Sequence, residues 1–382
     1  MMTFDYARLA GSWPSQLAKQ VALLEEYLET ARKRELRKSP GLDLMHGTAA
    51  VQGVQASCSL DGIRVDAERL EALAKGSLQP ADEAEREALG LYRATMEVCS
   101  DPLALDVAPD TLLALHRTVE GGAHAPLAGR FRQEQDSLAE ACPMLAGMDA
   151  SVILAAGEVP GAVEAWCRGW REASERGDVS GVRLALAAAA DLACIVPFPR
   201  GSGLMSRLTA VLLLGRAGCP PFLAAMMSAA LDGLREFYEP RARTALAGWR
   251  KERKASAHLA SVFFLGFATG CGMYAGMGEM MEGMAGPVLE RIKMQFSRLG
   301  ADAQKVFSAV RGAKEGFTSA EAAAVLPDRS MPAVRAVLRE LREAGAIERT
   351  GAGRSTRYQI SELWAQYAEA LDCCGLDPES GR

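Results

Sequence analysis

The sequence predicts a mainly α-helical protein that carries a small β element close to its C-terminus. Three observations support this. Ala, Leu, Glu and Arg, all strong or adequate helix formers, dominate the chain before residue 345. Apolar residues in that part recur at three- and four-residue intervals, the spacing of one helix face. Beyond it, two short alternating runs, Ala346 to Arg349 and Thr356 to Ile360, flank Gly351-Ala352-Gly353-Arg354, which reads as a hairpin tip.

Leu17, Val21, Leu24 and Leu28 form the first apolar stripe, ended by a charged run and Ser39-Pro40-Gly41. A second helix runs through His46 to Ser57. Asp66 caps a third, which opens Ala67-Glu68-Arg69-Leu70. Gln79-Pro80 breaks the chain, Ala81 to Cys99 resumes it, and Asp101-Pro102 breaks it again. Pro109-Asp110 starts Thr111 to Glu120, Gly121-Gly122 ends it, and a loop leads to Gly129-Arg130-Phe131-Arg132. Trp166 and Trp170 lie four apart within Ala162 to Glu175 and share a packing face. Val182 to Ile195 has few charges and reads as a buried central helix. It runs into Val196-Pro197-Phe198-Pro199-Arg200-Gly201-Ser202-Gly203, and a second apolar helix, Leu204 to Ala217, follows.

After about residue 297 the helices shorten. Ala303 to Arg311 is one. Thr318 caps Ser319 to Leu326, with Glu321 at the capping-box position. Pro327-Asp328 turns the chain, Ser330 caps Pro332 to Ala344, and Gly345 closes that helix. Three helices followed by a two-stranded wing is the layout of a winged helix-turn-helix. Between residues 301 and 361 ten basic side chains stand against seven acidic ones, in a chain whose formal net charge is -5. Arg335, Arg339 and Arg342 fall on one face of the third helix, and Arg354 and Arg357 extend from the wing. These elements meet the major groove and the flanking phosphates in DNA complexes, so DNA is the expected partner. The alternative is a protein-docking domain whose arginines are simply solvated.

The whole chain is 382 residues, 49% hydrophobic and 24% charged, which excludes a disordered, collagen-like or coiled-coil molecule. Its nine cysteines follow no ladder and include no C-x-x-C, so a disulfide framework or zinc site is not expected. With no basic and apolar leader at the N-terminus, a cytoplasmic location is the expectation. The charge-free stretch from Ala255 to Gly278 has the length of a membrane span but is interrupted by five glycines and by Ser256, His258, Ser261 and Thr269. A buried core helix is expected there and no membrane, with Gly272 to Gly286 as a compact helical turn packed by methionines. His46, His116, His124 and His258 are scattered and read as packed or solvated rather than as ligands. No metal site is expected.

The turn between the two apolar helices needs a reason. Two glycines there let the backbone aim N–H groups into a concavity at a helix N-terminus, an anion-binding arrangement. The longer stretch Val196-Pro197-Phe198-Pro199-Arg200-Gly201-Ser202-Gly203-Leu204-Met205-Ser206-Arg207 resembles the signature of the Fic family, which in active members reads H-P-F-x-[DE]-G-N-G-R-x-x-R. Ala187 to Ile195 resembles the helix that leads into that motif, and Leu208 to Gly218 the helix that leaves it. Ser57-Cys58-Ser59-Leu60-Asp61-Gly62 resembles the family's inhibitory motif [ST]-x-x-x-E-[GN], with Asp61 for the Glu. Gly129-Arg130-Phe131-Arg132 resembles the start of the flap hairpin that docks protein targets, and many bacterial relatives end in a winged helix.

The resemblance implies a Fic-type helical bundle with a small β-hairpin flap plus a C-terminal winged helix. It implies an organisation of 1–85 as an N-terminal region with the inhibitory-like residues Ser57, Asp61 and Gly62; 86–255 as the core; 256–296 as connecting helices; 297–362 as the winged helix; and 363–382 as a tail. Active members transfer AMP from ATP to a protein hydroxyl. Here the position of their general base is Val196, that of the magnesium-holding acid is Arg200, that of the Asn is Ser202, and that of the first phosphate-clamping Arg is Leu204. Loss of a general base alone costs ~10²–10⁴-fold. The expectation is therefore a pseudoenzyme with no cofactor, acting as a DNA-binding regulator or adaptor and pairing as a homodimer. The alternative is a divergent adenylyltransferase or phosphate-binding protein that uses ATP with magnesium at Gly201, Ser202, Gly203 and Arg207. Family logic pairs the inhibitory acid with the second Arg of the motif, hence Asp61 with Arg207, across a longer or water-bridged gap because Asp is one methylene shorter.

Overall fold

The computed structural model describes residues 4–10, 17–36, 41–251, 256–313, 316–351, 356–361 and 364–365, and at 282–290 the backbone alone. The helices are α1 (Ala18–Leu36), α2 (Leu42–Leu60), α3 (Ala67–Ala74), α4 (Glu83–Ser100), α5 (Pro109–Glu120), α6 (Leu138–Ala141), α7 (Val159–Arg176), α8 (Gly181–Ile195), α9 (Ser202–Arg216), α10 (Pro221–Gly233), α11 (Arg235–Trp249), α12 (Ser256–Arg298), α13 (Ala301–Val310), α14 (Ser319–Val325) and α15 (Met331–Glu343). Two strands follow, β1 (Ile347–Thr350) and β2 (Arg357–Ile360). The chain divides into two compact units, residues 1–33 with 43–277, and residues 34–42 with 278–382.

In the first unit α9 is the central rod. Thirteen of its fifteen residues are buried, Arg207 among them, so the helix has no solvent-facing side. It packs against α8, α10, α4 and α5. Polar groups drawn into this core find partners. Trp166 donates its indole N–H to the Ala188 carbonyl at 2.8 Å, fixing α7 on α8. Trp249 donates to the buried carboxylate of Asp191 at 3.0 Å. Asp66 caps α3 by accepting from the Arg69 N–H, and Asp82 does the same for α4 at Glu85.

The run expected to form a compact turn, Gly272 to Gly286, instead lies inside the continuous helix α12. Each helical glycine costs about 1 kcal/mol against alanine, yet close packing outweighs that cost upstream. A Cβ on Gly266 would meet the Leu231 side chain at 2.6 Å, and one on Gly270 would meet the Met226 backbone at 2.8 Å. These glycines bring α12 against α10, where a larger residue would hold it off. Ser256–Met281 is long and apolar enough to cross a membrane by length and composition, and 56% of its most apolar window is buried inside the protein.

The second unit has its own core. Val334, Val337, Leu338 and Leu341 face inward from α15 and meet Val306 and Phe307 of α13, Ala322 of α14 and Trp364. Thr318 and Glu321 form the reciprocal capping box at the start of α14. Ser330 stands at the N-cap of α15 but makes no side-chain cap bond, contrary to the role expected of it. β1 and β2 pair antiparallel with Ile347 opposite Ile360, and Phe317 adds a bridge to Tyr358 on the free edge of β2. This is the one sheet among the described residues. Gly129 to Arg132 forms no strand, so the expected hairpin flap is an irregular loop.

Candidate functional site

The site is the turn between α8 and α9. Helix α8 ends at Val196, whose φ of 50° places it in the left-handed region. Among the described residues it is the only non-glycine there, and a branched side chain in that conformation is strained by about 1–3 kcal/mol. Gly201 takes the second left-handed position, φ 64°, without that penalty. The turn closes through Ser202, whose hydroxyl accepts from the Phe198 N–H at 3.0 Å and contacts the Phe198 carbonyl at 3.1 Å. Val196 and Phe198 are completely buried. Val196 therefore offers no proton acceptor, and its place is filled by packing.

Asp61 occupies the mouth of this turn from the other side. Its carboxylate accepts from the Leu204 N–H at 3.2 Å and from Arg207 Nη2 at 2.6 Å. A Cβ on Gly203 would meet both carboxylate oxygens at 2.6 Å, so only glycine admits the acid at that distance. Arg207 is 1% exposed and also donates to the Ser57 hydroxyl at 2.8 Å and the Ser57 carbonyl at 2.9 Å. The pair is direct, with no longer gap for the missing methylene. An anion-binding helix N-terminus thus holds the protein's own carboxylate. Gly62 follows with φ 81° and lets the chain turn away after Asp61.

A second set of groups lies on the opposite flank, and its two acids, Glu87 and Glu120, were not singled out from the sequence. Arg200 reaches back to Glu87 Oε2 at 3.0 Å and stands 3.8 Å from Glu120 Oε2. His124 Nε2 is 3.4 Å from Glu87 Oε2. Burial, and then the charge of Glu87, push the Glu120 carboxyl up to about 8, against the pull of Arg200. It is therefore largely protonated at neutral pH. His116 stacks on Phe198 with ring centroids 4.3 Å apart. Its Nδ1 accepts from the Gly129 N–H at 3.0 Å, so Nε2 carries the proton and donates to the Arg200 carbonyl at 3.1 Å. Burial pushes its pKa down to about 4, which keeps that tautomer neutral. Both ring nitrogens hold the loop and the turn in place, so neither is available as a base. The signal for these residues was in the sequence: Glu87 shares a helical face with Leu91, Ala94 and Val98, and His116 and Glu120 share one with Leu112 and Val119.

The loop at Gly129 to Arg132 is bolted to the turn. Arg132 is buried, donates to the Val196 carbonyl at 2.7 Å and to the Leu154 carbonyl, and its backbone N–H bonds Pro197 at 3.0 Å. Arg130 pairs with Asp136 at 2.7 Å. The backbone N–H groups of Gly129 and Arg132, which a hairpin ladder would have used, are thus spent on His116 and Pro197.

In the second unit Arg335, Arg339 and Arg342 are exposed on the face of α15 opposite its buried residues. None of the three enters an ion pair among the described residues, whereas Arg329 binds Asp302 at 2.7 Å. Arg357 is also exposed and donates to the Gly316 carbonyl at 3.1 Å. Arg354 lies outside the described residues.

No family model matches the sequence, and no curated protein matches it. Among solved structures the chain is similar to a Fic family protein from Desulfovibrio desulfuricans G20, at a TM-score of 0.55 and 16% identity, over 92% of this chain and 98% of that one. That likeness shows the fold. A Fic domain containing signaling protein from Bacteroides thetaiotaomicron VPI-5482 matches at 0.48, with 12% identity over 69% of this chain and 98% of its own. Fic-1 from C. elegans matches at 0.49, with 18% identity over 69% of this chain and 72% of its own. At scores below 0.5 the latter two add nothing to the first.

Proposed function

We propose that this chain is a Fic-family pseudoenzyme, silent for AMP transfer, that acts as a cytoplasmic DNA-binding regulator or adaptor through a C-terminal winged helix. The observation that carries the first half is the Asp61 carboxylate at the N-terminus of α9, held by Arg207. It fills the place where a nucleotide phosphate would accept the same N–H. The motif agrees: Val196 can neither accept nor give a proton, Arg200 brings positive charge where active relatives hold a cation, and Leu204 lacks a phosphate clamp. The second half rests on α13, α14, α15 and the β1–β2 wing in winged-helix order, with an exposed arginine stripe on the helix that would enter the major groove. A homodimer fits this role, because paired domains read two half-sites. A protein target at the Gly129 to Arg132 loop is a further element of the reading.

Two measurements test it. The full chain, as wild type and as Asp61→Gly, is incubated with labelled ATP and magnesium. No label on any protein is expected from either; label from either, or nucleotide bound at the turn, favours the divergent-transferase reading. DNA binding is then measured against salt. A steep salt dependence that weakens in Arg335→Ala and Arg339→Ala supports the winged-helix role, and unaltered binding in both variants overturns it.

A further inference from the structure

Among the described residues, and with both acids ionised, four buried polar atoms beside Arg200 have no hydrogen-bond partner: Glu87 Oε1, both carboxyl oxygens of Glu120, and His124 Nε2; a proton on Glu120 supplies one bond, to Glu87, and leaves the others. Glu87 and Glu120 are 1% and 0% exposed, and the ring of His124 is 16% exposed. Buried polar atoms are normally satisfied, and a cluster of four calls for a cause. Arg200 does not supply it, since its guanidinium engages Glu87 Oε2 and stays 3.8 Å from Glu120. One water molecule has two hydrogens and cannot serve these lone pairs together. One donor atom from each of the three residues lies within 4.8 Å of the other two, close enough to converge on a single ion.

We propose that Glu87, Glu120 and His124 form a binding site for one divalent first-row cation, which displaces the Arg200 guanidinium as it enters. Two carboxylate oxygens and an imidazole nitrogen suit Zn²⁺, and the harder Mn²⁺ that carboxylates favour, better than Mg²⁺, which keeps several waters. The scaffold holds these residues close together. Glu120 ends α5, and the His124 N–H bonds the Glu120 carbonyl at 2.6 Å, which fixes the loop residue over the helix end. A Cβ on Gly201 would meet Glu120 Oε1 at 2.7 Å, so the glycine of the turn also makes room for the acid. Arg200 is 27% exposed and sits at the rim, where it can swing into water. The ligands come from α4, α5 and the loop after it, outside the α8–α9 motif, so the inference does not depend on whether the chain transfers AMP.

The test uses Mn²⁺, because the nine cysteines would compete for Zn²⁺. Mn²⁺ is titrated into the tag-free full chain, and free ion is followed by its magnetic resonance signal. One bound ion per chain is expected. Glu120→Gln and His124→Ala should weaken binding by ~10-fold or more, as loss of a ligand does, and Arg200→Gln should strengthen it by removing the competing cation. Glu120→Gln keeps the side-chain shape and reports even if His124→Ala folds poorly. Thermal melting gives a second readout: Mn²⁺ should raise the wild-type midpoint and leave that of Glu120→Gln unmoved. Wild-type chain that binds no Mn²⁺, or Glu120→Gln that binds it as tightly as wild type, overturns the proposal.

Discussion

Arg207 in the first unit and the α15 arginines in the second are placed in opposite ways. Arg207 in the first unit is buried with Asp61 and Ser57 as its partners, while Arg335, Arg339 and Arg342 in the second stand in water on one side of α15. A buried guanidinium is tolerable only with its counter-charge in place, so Arg207 is committed to the fold. An exposed one loses little in water and remains available to a polyanion. Charge counted along the sequence does not separate these cases; burial does. The same contrast divides the carboxylates, with Asp61 and Glu120 enclosed and Glu340 on the surface of its unit bonding the Gly300 N–H at 2.7 Å.

The largest expected effect breaks the buried side of the contrast. Arg207→Met leaves the Asp61 carboxylate enclosed without its cation, and it should destabilise the first unit by about 3–5 kcal/mol in urea unfolding. Arg207→Met with Asp61→Leu removes both charges and should recover most of the loss. A single variant that loses less than about 1 kcal/mol would mean that the pair is not structural.

Glu120 comes next. Its carboxyl titrates near 4.5 in an unfolded chain and at about 8 in the folded one. Between those values the unfolded chain releases a proton that the folded chain keeps, so stability falls as pH rises from about 4.5 to about 8 and then levels. With metal chelated, Glu120→Gln should remove that fall. The two proteins should melt alike below pH 4.5 and diverge above it, the variant being the more stable. Parallel melting curves across this range would show that the carboxyl is not held protonated.

The exposed side is sharpened by the double variant Arg335→Ala with Arg339→Ala. Each phosphate that is no longer neutralised lowers the salt slope of DNA binding by ~1, so the pair should lower it by ~2. Folding stability should stay within about 0.5 kcal/mol, since both side chains are exposed and neither enters an ion pair among the described residues.

Much of the fold was legible because it follows from local rules. Asp66 and Thr318 cap the helices they were expected to cap, and the apolar helices on either side of the Gly201 turn form where their composition predicts. What was missed depended on packing between distant segments. The run Gly272 to Gly286 read as a compact helical turn rather than part of one long helix, and upstream glycines of the same helix serve a close approach to α10 that no local pattern reveals. The Gly129 to Arg132 loop read as a hairpin arm, and its bonds run to Val196, Pro197 and Leu154 instead. Glu87 and Glu120 lie 33 positions apart and meet only because Gly90 lets α4 and α5 touch, its missing Cβ leaving room for the Val119 carbonyl. The Asp61–Arg207 pair was legible through family logic alone, since nothing in the spacing of two residues 146 apart implies contact.

The smallest expected effect separates fold from surface within the second unit. Thr318 accepts from the Glu321 N–H, and Glu321 returns a bond to the Thr318 N–H at 2.6 Å, whereas Ser330 makes no such bond. Thr318→Ala should therefore cost about 1 kcal/mol and Ser330→Ala a few tenths at most, read from the melting of the second unit. Neither change touches the arginine stripe. If DNA binding follows those arginines, both variants should bind DNA as the wild type does wherever the unit remains folded. A loss of binding in Thr318→Ala at a temperature where it is fully folded would place the contact surface on α14 rather than α15.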